Sequence, residues 1–266
     1  MAQTFALTLE QLDAFDRRGV VRLPGFYPKA DIDVMADRLW ADLERRFGMA
    51  RDRPESWTVA SPAHFNALKR AGAFSALGSP RLSELADALL GTGAWDEPKL
   101  WGGPLVTFPS PTPTLRRPPW HLDIGGLERL SPLPILRTFT FLEPLLPGGG
   151  GTLHVAASHH FALEIERDHD GPVRSAEIRE RLKSEHPWFA RLLAADSVHV
   201  RELLNAEARV GDHTVRLEEM TGAPGDLILM HPATLHATAH NALDRPRMML
   251  TSWIPRRGSA MDDRSL

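Results

Sequence analysis

His121 and Asp123 stand two positions apart in Trp120-His121-Leu122-Asp123. Side chains alternate along a strand, so both would point to one face and offer an imidazole nitrogen and a carboxylate oxygen to a single metal ion. A lone His-X-Asp is more often a surface pair, so a third ligand is needed. His236 can supply it. Gly225 to Pro232 reads as a turn entering a buried strand, and a short corner then presents His236 on the next strand. Two histidines and one carboxylate form a facial triad, which leaves three adjacent positions open and suits a non-haem Fe(II) oxygenase. Those positions can take two oxygens of a chelating ligand and one O2. Arg247 follows His236 by 11 residues, and Thr238 lies two residues beyond His236 on the same strand face. A guanidinium there can grip a carboxylate through two parallel hydrogen bonds, with the hydroxyl adding another. Metal, arginine and hydroxyl together describe a site for a dicarboxylate whose other end chelates iron.

The elements that must position these residues fall into two parts. Residues 1–98 read as mostly helical. Thr8 and Gln11 form a capping-box pattern for a helix that Gly19 closes, with Leu9, Leu12, Phe15 and Val20 near the spacing of a buried stripe. Residues 20–23 read as a short strand, and 29–47 as an amphipathic helix with Ile32, Met35, Leu39, Trp40 and Leu43 on one face. Residues 80–90 read as a further helix. From residue 99 to 256 short apolar runs alternate with Pro and Gly turns, at 100–108, 119–124, 136–142, 152–155, 198–203, 214–217, 226–230, 236–238 and 248–254. Such punctuation predicts a sandwich, barrel or jelly roll. A helical insertion is expected at about 173–195, and the Pro-rich 109–119 is a loop. With no flexible linker between the parts, residues 1–266 are expected to form a single domain.

Composition narrows the classes. The 266 residues include 12 His and no Cys. Disulfide scaffolds, thiolate metal sites and cysteine nucleophiles are therefore excluded. The net charge of −3 argues against a nucleic-acid partner. No window carries the ~18 uninterrupted apolar residues of a membrane span, and the first residues lack the pattern of a signal peptide. A cytoplasmic protein with no membrane partner, acting on a small-molecule substrate as a monomer or homodimer, is the expectation.

Three motifs in order carry a resemblance: WHLD, GGGTLHVAASHH from Gly149 to His160, and GDLILMHPATLHATAHN from Gly225 to Asn241, followed by Arg247. The chain resembles the phytanoyl-CoA dioxygenase family of Fe(II)/2-oxoglutarate-dependent oxygenases. The resemblance implies a mainly β fold with flanking helices, a double-stranded β-helix (a cupin-like jelly roll) with the metal at one open end. It implies His121, Asp123 and His236 as iron ligands and catalytic centre. Arg247, helped by Thr238, would hold the distal carboxylate of 2-oxoglutarate. It further implies hydroxylation of an unactivated C–H with O2, releasing succinate and CO2. The Asp123 carboxylate argues for oxygenation, because related halogenases carry a small residue there. One departure stands out: the Pro-Gly-Ser-His usual after the glycine run reads Ala156-Ala157-Ser158-His159, which puts the local loop shape in doubt. The competing readings are a cupin-type hydrolase or isomerase, which needs no arginine grip on a dicarboxylate, and a non-catalytic small-molecule binding module, against which the intact His121, Asp123, His236 and Arg247 weigh.

The neighbouring residues receive plainer readings. His231 is expected to be structural, at a strand end, and His240 to sit in a solvated loop. His154 is read as a core or pocket-edge residue, and His64, His169, His186, His199 and His213 as facing solvent. Glycines 148–151 lack the context of a P-loop and read as a wide turn. Gly125 and Gly126 let the chain turn away after Asp123. Trp120 should point away from His121 and pack. Arg137, Phe139 and Phe141 share one strand face, and Thr138, Thr140 and Leu142 the other; sequence does not say which lines the cavity. Arg116 and Arg117 read as a solvated loop. With no basic cluster in view, a small hydrophobic metabolite is favoured over a CoA ester.

Overall fold

The computed structural model describes residues 7–113, 116–125 and 127–259. Gly126 lies outside them. Helix α1 (Leu9–Arg18) starts at the expected Thr8–Gln11 capping box and stops at Gly19, whose φ of 71° is left-handed. Strand β1 (Val20–Leu23) follows, then helices α2 (Lys29–Phe47), α3 (Asn66–Arg70) and α4 (Pro80–Leu90). The strands β2 (Gly103–Thr107), β3 (Ile135–Phe141) and β4 (Thr152–Ala156) come next, then helices α5 (Ser158–Arg167), α6 (Ser175–Glu185) and α7 (Pro187–Ala194). Strands β5 (Glu207–Val210), β6 (His213–Glu219), β7 (Leu227–Met230), β8 (His236–Thr238) and β9 (Arg247–Pro255) complete the described chain. No helix among the described residues is long and apolar enough to cross a membrane.

The strands form two antiparallel sheets, ordered β1-β7-β3-β9-β2 and β5-β6-β4-β8. Their side-chain parity explains the jelly roll. Along β3, β7 and β9, Leu136, Leu227, Leu229, Leu250 and Ile254 face outward and pack on Ile32, Met35, Leu39, Leu82 and Leu85 of α2 and α4. The opposite parity, Phe139, Phe141, Ile228, Met230 and Met249, fills the space between the sheets. On the second sheet, Leu153, Val155, Val215, Leu217 and Ala237 face outward onto Phe161, Ile165, Ile178, Leu182 and Phe189 of α5 to α7. Every residue of β3 is buried, as expected of a strand covered on both faces. The inward parity also carries the polar residues Arg137, His154, Glu218, His236 and Arg247, which makes the space between the sheets a site as well as a core.

Several expectations need correction. Leu9 and Leu12 are exposed, because α1 docks through its C-terminal end and its first turn projects. There Phe15 is buried, Ala157 N–H donates to Arg18 O at 2.8 Å and His231 N–H to Gly19 O at 2.7 Å. Within residues 198–203, His199–Leu203 form a 3-10 turn rather than a strand; Oδ1 of Asp196 accepts from the N–H groups of Val198 and His199 and bends the chain into it. The segment 119–124 forms only a single bridge, His121 to His236, after two prolines. The insertion at 173–195 is two helices, broken where Pro187 starts the second. Strand β5 and helix α5 were not anticipated. The two-residue Gly211-Asp212 loop between β5 and β6 was the available signal for the hairpin. Ala157 does what the missing glycine would do: it adopts φ 68° at the start of α5, so the local turn survives the substitution.

Candidate active site

The narrow pairing of His121 with His236 builds the centre. Each residue's N–H donates to the other's carbonyl at 2.9 Å, which sets the imidazole centroids 4.2 Å apart. Asp123 N–H donates to Pro232 O at 2.9 Å, so its carboxylate reaches the same face. Oδ1 lies 3.7 Å from His121 Nε2 and Oδ2 3.4 Å from His236 Nε2. One ligand-type atom from each residue lies within 4.8 Å of the others. The Nδ1 atoms face Pro119 O at 2.8 Å and Thr234 O at 2.9 Å. A carbonyl can only accept, so Nδ1 carries the proton and Nε2 keeps its lone pair on the side of Asp123. Burial and the neighbouring His236 push the His121 pKa down, which favours the neutral, ligating form. Burial raises the Asp123 carboxyl, but the charges of His236 and Arg137 outweigh it and hold the group well below the usual carboxylate range. Two imidazole nitrogens and one carboxylate are a donor set that fits Fe(II). The His121 side chain is 46% exposed while Asp123 and His236 are buried, so solvent meets the centre from the His121 side.

Arg247 starts β9 opposite Thr107, the last residue of β2. Both line a cavity of about 500 Å³ together with Thr238, Asn241 and His240. Arg247 is buried; its Nη1 donates to Gly150 O at 2.8 Å, while Nε has no partner. The Thr107 hydroxyl also lacks one. Burial pulls the Arg247 pKa down to about 10, opposed by the charge of Glu219, so the guanidinium stays charged at neutral pH. Unpartnered buried donors call for a ligand, and a carboxylate in this cavity would satisfy both. Thr107 was not singled out by sequence reasoning; its place opposite Arg247 emerges only from the β2–β9 register. The glycine turn is structural, as expected. Glu219 accepts from the N–H groups of Gly148, Gly150 and Gly151 at 2.7–3.0 Å, and a Cβ on Gly151 would stand 2.0 Å from Met220 O.

The structure answers the open question about Arg137: its face turns inward, and Nε donates to Asp123 Oδ2 at 2.9 Å. His154 pairs with His236 across β4 and β8 and contacts Glu218 at 3.3 Å, while Trp120 packs in the core beyond the second sheet. His231 is buried at the end of β7, and its Nδ1 accepts from Ala233 N–H. His240 lies on the cavity wall rather than in free solvent. His213 is not simply solvent-facing, since it stacks on His160 at 4.7 Å and meets Glu164 at 2.8 Å. Arg116 and Arg117 join Arg191 around a separate cavity of about 430 Å³ that also holds Asp196, His199 and Glu202. That basic grouping was invisible in sequence, because Arg191 arrives from α7.

Solved structures share this frame. The carbocyclase SnoK of nogalamycin biosynthesis, described as non-haem and α-ketoglutarate-dependent, superposes with a TM-score of 0.60 at 19% identity, over 94% of this chain and 84% of that one. EctD from S. alaskensis gives 0.58 at 17% identity, over 96% and 79%. HygX from Streptomyces hygroscopicus, solved with nickel and 2-oxoglutarate bound, gives 0.54 at 19%, over 95% and 88%. At these identities the likeness carries the fold. No curated protein matches by sequence. The model of one family, phytanoyl-CoA dioxygenase (PhyH), matches residues 15–249, and the chain therefore belongs to that family of Fe(II)- and 2-oxoglutarate-dependent oxygenases.

Proposed function

We propose that this oxygenase hydroxylates an unactivated C–H bond of a small-molecule metabolite. In the balanced reaction, substrate, 2-oxoglutarate and O2 give hydroxylated product, succinate and CO2. The observation that carries the reading is the convergence of His121, Asp123 and His236, with Thr238, two residues beyond His236, on the wall of a cavity that holds a buried arginine with an unused donor. His121, Asp123 and His236 would hold the iron. Arg247, with Thr238 and Thr107, would hold the distal carboxylate of 2-oxoglutarate. Bound iron supplies the O2 activation that couples decarboxylation of the co-substrate to oxygen insertion. The protein's part is to fix both carboxylate ends, present the C–H and exclude water through the apolar packing between the sheets.

Anaerobic addition of Fe(II) and 2-oxoglutarate should produce a metal-to-ligand charge-transfer band, and O2 should then release succinate. Absence of the band would favour a cupin-type hydrolase or a binding module instead. Product mass decides the finer point. Among proteins of this fold, SnoK is described as a carbocyclase and SnoN as an epimerase. Hydroxylation adds one oxygen, ring closure removes two hydrogens, and epimerisation leaves the formula unchanged. A loss-of-function strain compared by untargeted metabolomics would show which difference accumulates.

A further inference from the structure

Arg137 places a positive charge, almost fully buried, next to the group that would receive a dication. Repulsion makes that arrangement unfavourable unless the guanidinium does something for the centre. Its geometry shows what. Nε donates to Asp123 Oδ2 at 2.9 Å. Cζ lies 3.9 Å from the ring centroid of Trp253, its direct partner in the β3–β9 register, and 4.9 Å from that of Phe139. The stack fixes the plane of the guanidinium and offsets the cost of Nη1, which has no partner. Oδ2, which also lies 3.4 Å from His236 Nε2, is thus committed to the guanidinium, while Oδ1 faces His121 Nε2 at 3.7 Å with no donor on it among the described residues.

A carboxylate can bind a metal through one oxygen or through two. Two would fill a fourth position and leave too few for a chelating co-substrate plus O2. We propose that Arg137 is the positioning residue of this centre: by engaging Oδ2 it makes Asp123 a one-oxygen ligand and keeps three positions open. Trp253 holds Arg137 in the plane that does so. This inference rests on the reading of the site as an Fe(II)/2-oxoglutarate centre.

The test compares wild type with Arg137→Gln, Arg137→Lys, Trp253→Ala and Trp253→Phe, using anaerobic Fe(II) titration and then 2-oxoglutarate titration of the Co(II) form. Loss of an outer partner of a metal ligand typically weakens metal affinity by about 10–100-fold, and that is the expectation for Arg137→Gln. The Co(II) form of that variant should also bind 2-oxoglutarate more weakly and show an altered visible spectrum, which a purely structural role would not produce. Arg137→Lys should recover little, because it restores charge without the planar group that stacks on Trp253 and fixes the Nε–H toward Oδ2. Trp253→Phe should stay near wild type, and Trp253→Ala should follow Arg137→Gln more mildly. Wild-type metal and 2-oxoglutarate affinities in folded Arg137→Gln would overturn the proposal. If that variant fails to fold, wild-type affinities in Trp253→Ala would overturn it equally. A wild-type protein that gives no charge-transfer band would instead overturn the reading of the centre, so the two failures are distinguishable.

Discussion

Two groups of histidines lie among the described residues, and only one of them is a candidate metal centre. His121 and His236 meet over a carboxylate, with each Nδ1 committed to a carbonyl and each Nε2 left toward Asp123. His159, His160, His213 and His231 also crowd together, with successive ring centroids 4.0–5.1 Å apart. Their nitrogens are spent differently. His159 and His160 turn Nε2 to the carbonyls of Asp16 and Arg17, tying α5 to α1, while His231 Nδ1 is taken by Ala233 N–H. Glu164 approaches the group only at its edge, through His213. A cluster of imidazoles becomes a site only where the lone pairs face a shared carboxylate. Where the ring nitrogens are instead spent on backbone carbonyls and N–H groups, the same residues are internal struts.

The largest expected effect would break this contrast most directly. His236→Ala should reduce Fe(II)-dependent succinate release to background while changing the thermal midpoint little; Asp123→Ala should abolish release as fully and also lower the midpoint, because it leaves the buried Arg137 charge without its partner. His231→Ala should do the reverse, lowering the midpoint and keeping Fe(II) affinity. Loss of iron binding in His231→Ala as complete as in His236→Ala would erase the distinction. The next effect concerns the cavity beside the first group. Truncating one partner of a buried charged pair costs about 2–5 kcal/mol, so Arg247→Ala should raise the 2-oxoglutarate Kd by on the order of 30-fold or more. Calorimetry on the Co(II) form checks this, and an unchanged Kd would remove Arg247 from the site.

The third effect belongs to the second group. Burial, then the charge of His231, pushes the His159 pKa down to about 3; burial, then the charge of His160, pushes that of His231 down to about 4. Both are depressed from 6.5, so the unfolded chain takes up protons first. Their contribution to stability is full above about pH 6.5 and is lost as pH falls toward the folded values. Each should steepen acid destabilisation by about 1.4 kcal/mol per pH unit in that window. Urea midpoints at pH 7.5 and 5 measure it, and His231→Gln should flatten the difference. A wild-type midpoint that does not move would contradict the strut reading. The smallest effect lies at the turn that seats His159: Ala157 sits at φ 68°, and Ala157→Gly should add about 1 kcal/mol of stability. A loss of stability in that variant would show that the methyl packs usefully.

Much of this was readable along the chain because it is local. The capping box at Thr8, the helix over residues 29–47 and strand β8 at His236–Thr238 follow from spacing and caps within a few residues. The order of the HxD pair, the distal histidine and the arginine likewise pointed to one site, since each motif carries its own chemistry. Residues 198–203 were misread because an Asp196 side chain, not hydropathy, decided between strand and turn. Helix α5 was missed because its start depends on Ala157 adopting a backbone conformation that alanine disfavours, held by the Ala157 to Arg18 bond. What the sequence by itself determined was which residue types could bind a metal and a dicarboxylate, and roughly which elements carry them. Only the tertiary structure decided that Arg137 faces Asp123, that Thr107 stands opposite Arg247, and that His231 looks toward α1 rather than the metal. Those choices depend on strand register and on which sheet face is covered, and both are fixed by packing between segments more than 100 residues apart, as Gly19 and His231 are.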